Sequence, residues 1–129
     1  MPARRRAPLV AVALLLVPVG LVVSRADVLP PVLADGLGAA LYAALVVVLA
    51  LLLVPRLSPW TAAAVALGVC TAVELLQLTA VPARAAELVP AARLVLGSGY
   101  STTDLLWYAA GAGTSGLVDV GARRRRPPA

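Results

Sequence analysis

Glu74 and Gln77 stand one helical turn apart in the segment Glu74-Leu75-Leu76-Gln77, inside a run otherwise apolar enough to lie within a membrane. An ionisable group at mid-membrane costs roughly 2.5–3.5 kcal/mol on insertion scales, so such a group faces a protein interior, a partner or a water-filled path. A carboxyl placed there can accept hydrogen bonds from a ligand or carry a proton. At about 100° per residue, Cys70, Glu74, Gln77 and Val81 fall in one sector. A later apolar run puts Asp104, Tyr108, Gly111 and Ser115 on one face, and an earlier one does the same with Asp35, Ala39 and Tyr42. In both runs an acidic residue opens the helix and a tyrosine follows one or two turns deeper. Asp35 before Gly36, and Asp104 in Ser101-Thr102-Thr103-Asp104, also suit helix capping. Arg25, Arg84 and Arg93 are the basic residues placed to pair with Glu74, Arg93 first among them, or to hold lipid phosphate through charge-assisted hydrogen bonds.

The residue inventory excludes several chemistries. Histidine is absent and Cys70 is the lone cysteine, so one chain builds neither a disulfide nor a Cys/His metal site. Ser101, Thr102 and Thr103 have no histidine to activate them, which removes acyl transfer by the usual triad. No cofactor motif is present, and no residue is assigned a catalytic role. An enzymatic reading would use Glu74 and Asp104 as a carboxylate pair for acid–base work, and a proton-coupled transporter would use the same two groups. The reading preferred from the residues is non-enzymatic.

Helices must position these groups within a bilayer. With 61% hydrophobic and 13% charged residues and a mean hydropathy of +0.95, the chain belongs to the membrane class. Its 129 residues suffice for one domain. Apolar runs predict spans at about 7–23, 36–54, 60–81 and 103–118, each near the length that crosses a hydrocarbon core of about 30 Å. The expected fold is all-α, an integral membrane four-helix bundle with a long outer loop between the third and fourth helices. Arg4, Arg5, Arg6, Arg56 and Arg123, Arg124, Arg125, Arg126 fall on one side of that membrane, and Arg25, Arg84 and Arg93 on the other. By the positive-inside rule both termini are cytoplasmic, in an inner or plasma membrane. The first span also has the layout of a signal peptide, with Ser24-Arg25-Ala26 as cleavage site; its apolar length and the arginine in that triplet favour a retained helix. Short basic runs beside apolar spans read as topology anchors rather than a nucleic-acid surface. Between Pro82 and Thr102, the stretch from Arg84 to Leu96 is expected as a short interfacial helix or a loop lying on the bundle.

With this orientation Glu74 sits seven residues, roughly 10 Å, from the outer end of its helix. Asp35, Asp104, Arg84 and Arg93 are outer-side as well, so a polar pocket open to the outside is the expectation. Ala64, Gly68 and Ala72 form a small-residue stripe opposite Glu74, which permits close helix approach and would make the third span central. That stripe, with Gly111 and Ser115, is also what an accessory subunit would use to pack on other chains.

The motifs Glu74-Leu75-Leu76-Gln77, Ala92-Arg93-Leu94-Val95-Leu96-Gly97 with Tyr100, and Asp104-Leu105 followed by Tyr108 and Gly111 resemble those of a family of small bacterial four-span membrane proteins, domain of unknown function 2809. The resemblance covers nearly the whole chain. The chain is similar, more distantly, to VanZ-like proteins, whose named member is linked to teicoplanin resistance. Glu87 stands where a further arginine is expected, and no Lys-His pair lies near Asp35. The resemblance bears on the fold and the site residues more than on any activity; the candidate ligand site is drawn from Glu74, Gln77, Arg93, Asp104, Tyr108, Asp35, Tyr42 and Arg84, and the preferred reading is a cell-envelope protein whose outer pocket recognises a lipid or lipid-linked headgroup. Expected partners are membrane lipids, an envelope lipid-linked ligand and a second copy of the chain.

Overall fold

The computed structural model describes residues 3–25, 29–92 and 102–125. All the regular structure among them is helical: α1 (Ala3–Arg25), α2 (Pro31–Leu53), α3 (Pro59–Leu76), α4 (Val81–Leu88) and α5 (Thr102–Arg125). Three helices, over Arg6–Val23, Pro31–Leu53 and Pro59–Leu76, are long and apolar enough to cross a membrane. They fit a small membrane protein. The 24 residues of α5 reach about 36 Å, but Asp, Ser, Thr and Gly dilute its apolar content, so its composition alone does not mark it as a span.

Local chemistry moves two boundaries from their expected places. Pro30 supplies extended backbone at φ −53°, ψ 144°, and Pro31 at the first helical position brings no amide needing a partner. The second helix therefore begins at Pro31 rather than Gly36, and Asp35 is not a cap but an exposed residue already inside α2. At the far end of α3 the chain turns after Leu76. The Thr79 hydroxyl donates to the Leu76 carbonyl at 2.6 Å and accepts the Val81 N–H at 3.2 Å, and Pro82 opens α4. Val81 thus begins a new helix instead of sharing the Glu74 sector, and Glu74 lies in the last turn of α3 instead of seven residues below its end. α4 realises part of the expected interfacial segment and stops at Leu88, with extended Val89 and then Pro90.

The arginine-rich end is tied by polar contacts. Ser58 caps α3, its Oγ accepting from the Thr61 N–H at 3.1 Å and donating to Thr61 Oγ1 at 2.7 Å. Arg123, near the end of α5, pairs with Asp119 at 3.0 Å and donates from Nη2 to the Leu57 carbonyl at 2.7 Å. One guanidinium therefore joins the last turns of α5 to the α2–α3 connection.

Packing makes α2 the central helix, because it touches α1, α3 and α5, while α3 packs on α2 and α5. The expectation of a central third helix is corrected here. The core joins Ala43, Val47 and Leu51 of α2 to Ala62, Ala66 and Cys70 of α3 and Ala112 of α5. Small side chains dominate it, as suits helices held together by close van der Waals contact rather than by exclusion of water. A Cβ at Gly111 would overlap the Ala40 backbone, and one at Gly36 would overlap the Trp107 indole. The glycines are what let α5 lie against α2. Gly111 is thus used within the chain, against α2. Ala64, Gly68 and Ala72 are all exposed, and nothing lies within 4 Å of a Cβ built at Gly68.

Candidate functional site

Glu74 is 1% exposed although it stands one turn from a helix end. Helix α5 covers it. Tyr108, itself buried, donates its hydroxyl to Glu74 Oε1 at 2.9 Å, linking α3 to α5 through a fully enclosed hydrogen bond. One turn earlier on α5 stands the half-buried Asp104, whose carboxyl lies near enough to Glu74 to interact with it. From α2, the Tyr42 ring meets Tyr108 with centroids 6.2 Å apart and planes tilted by 52°, a favourable aromatic arrangement. Cys70, buried one turn before Glu74, forms the floor. Three helices therefore contribute to one polar cluster.

Asp35 stands at its rim, exposed, with its charge felt at Asp104. Gln77 follows Glu74 at the end of α3 with its side-chain oxygen buried. Arg84 on α4 is exposed, and among the described residues no ion pair joins it to Glu74. Arg93, the favoured partner, lies outside the described residues, as does the side chain of Arg25. The contacts described for Glu74 come from a tyrosine and an aspartate rather than from an arginine.

Two neighbouring carboxyl groups repel when both are ionised, and a proton on one of them relieves that repulsion. A carboxyl pair gripped by a tyrosine hydroxyl can therefore hold or pass a proton, or present oxygens to the hydroxyl or ammonium groups of a ligand. Among the described residues no group of three or more His, Cys, Asp or Glu gathers to hold a metal ion. A cavity of about 290 Å³ opens elsewhere, at the arginine-rich end between α1, α2 and α5, and the polar cluster contributes nothing to its walls.

Sequence reasoning missed two features. The Asp119–Arg123 pair has the i, i+4 spacing of a helical ion pair and was legible on that ground. The seating of Trp107 over Gly36 depends on how two helices rotate against each other, for which the sequence holds no local signal.

Residues 28–112 match the family described as protein of unknown function (DUF2809), and the chain belongs to that family. All eight candidate residues fall within the matched segment, from Asp35 to Tyr108, whereas α1 and the arginine-rich end of α5 lie outside it. No curated protein and no solved structure matches the chain.

Proposed function

We propose that this member of the family crosses the cell membrane with four spans, α1, α2, α3 and α5, and that its polar cluster recognises the headgroup of an envelope lipid or lipid-linked cell-wall component. The observation that carries this reading is the enclosure of Glu74, 1% exposed and held by Tyr108 at 2.9 Å, in the part of the chain that the family shares. A buried acidic group is expensive to maintain in apolar surroundings, and here Asp104, Asp35 and Tyr42 surround it with further polar atoms leading to the surface. Acceptors of this kind suit a headgroup bearing hydroxyl or ammonium groups, with exposed Arg84 nearby in sequence for phosphate.

The test uses changes that keep shape and remove charge. Glu74→Gln and Asp104→Asn should reach the membrane at normal levels yet fail to restore a strain lacking the gene, assayed by envelope stress and glycopeptide sensitivity. Leu51→Ala, a cavity in the core far from the cluster, should lower stability and still complement at permissive temperature. Full complementation by both carboxyl variants would discard the proposal.

The second reading is proton transfer, favoured by the reach of Asp104 to Glu74. Proton flux into vesicles carrying the wild type, lost in both variants, would select it. A third, an accessory subunit of a membrane complex or a homo-oligomer, draws on the exposed Ala64, Gly68 and Ala72 face.

A further inference from the structure

We propose that the cavity between α1, α2 and α5 holds one acyl chain of an anionic phospholipid, with the phosphate among the arginines at the same end of the molecule. Leu9 and Val12 of α1, Val47 and Val48 of α2 and Val118 of α5 form its apolar walls, and its volume is about 290 Å³. Of its polar lining residues Thr114, Ser115 and Asp119, the Ser115 hydroxyl donates to the Gly111 carbonyl at 2.7 Å and Asp119 binds Arg123 at 3.0 Å. An apolar cavity of this kind stays dry and takes apolar guests. Two of its three wall helices, α1 and α2, are long and apolar enough to cross a membrane, so the guest at hand is a lipid chain.

Charge at the mouth selects which lipid. Arg6 precedes the wall residue Pro8 by two positions, and Arg124 and Arg125 follow the wall residue Ala122. These three are exposed, while Arg123 is occupied by Asp119 and the Leu57 carbonyl. Basic side chains beside a span attract anionic headgroups, and Arg6, Arg124 and Arg125 bring three such charges from α1 and α5 to this end. The lipid would thereby join α1, which packs mainly on α2, to α5.

The test uses the full chain in neutral detergent, with phosphatidylglycerol and phosphatidylcholine as probes and native mass spectrometry as readout. Phosphatidylglycerol should be retained at least about tenfold more strongly, and the double variant Arg124→Gln, Arg125→Gln should lose most of that preference. On the unmodified protein, a diazirine at mid-chain of phosphatidylglycerol should crosslink to Leu9, Val12, Val48 and Val118. Equal retention of the two lipids would overturn the proposal. So would crosslinks as strong at Val65 and Val69, exposed on α3, or soluble glycerophosphoglycerol binding as tightly as the lipid.

Discussion

Enclosing a carboxyl as completely as Glu74 requires every lone pair to be satisfied or the charge to be shared, and Tyr108 supplies a hydroxyl directly. A hydrogen bond to a charged group contributes about 1.5–3 kcal/mol, and the loss of one partner strands the other. Tyr108→Phe and Glu74→Gln should each destabilise the protein, and the double variant should fall short of their sum by about 1–2 kcal/mol. Chemical unfolding in detergent measures the cycle, and strict additivity would mean that the contact carries no energy. That Glu74 would be enclosed by protein was legible because a charge in an apolar run needs a protein interior, a partner or a water-filled path around it. The tyrosine that donates to it was not legible, because helical faces fix a sector on each helix and leave open which sectors meet, while Arg93, the counter-charge expected from the sequence, lies outside the described residues. Only the packing of α5 across α3 brings Tyr108 to Glu74.

At the level of helices, glycine decides which surfaces meet. The sequence offered two small-residue faces, around Gly68 and around Gly111, with no means of ranking them. Backbone contact settles the matter, since Gly111 lies against the Ala40 carbonyl while Gly68 faces open space. Gly111→Val should force α5 off α2 and destabilise by about 1–3 kcal/mol or more. Gly68→Ala should be neutral or stabilising by up to about 1 kcal/mol through helix propensity. Melting temperatures in detergent compare the two variants. Equal loss in both would mean that the α3 face is also packed, by a second copy of the chain. The apolar runs predicted four long helices well, but Pro31 and Pro82 shifted their ends, because proline starts helices more firmly than hydrophobicity ends them.

For the molecule as a whole, the distribution of arginine and the fold agree in a way that neither guarantees alone. Arg6 at the start of α1, Arg56 in the α2–α3 connection and Arg123, Arg124 and Arg125 at the end of α5 belong to one end, which the shared cavity and the Arg123–Leu57 contact tie together. Arg84, Asp35, Glu74 and Asp104 belong to the other. In the four-span arrangement proposed above, the positive-inside rule would turn the first end to the cytoplasm, and four crossings would bring both termini there. The weak step is α5, whose composition does not reach that of a free-standing span. In that arrangement its glycine contacts with α2 and the Tyr108–Glu74 bond would stand in for hydropathy once its neighbours are inserted. Alkaline phosphatase fused after Ala129 should therefore be inactive and after Glu87 active. Activity at both sites would leave α5 on the outer surface, and inactivity after Glu87 would invert the whole assignment. Gly111→Val should raise activity at the Ala129 fusion if packing is what draws α5 across, and an unchanged, silent fusion would show that α5 inserts on its own.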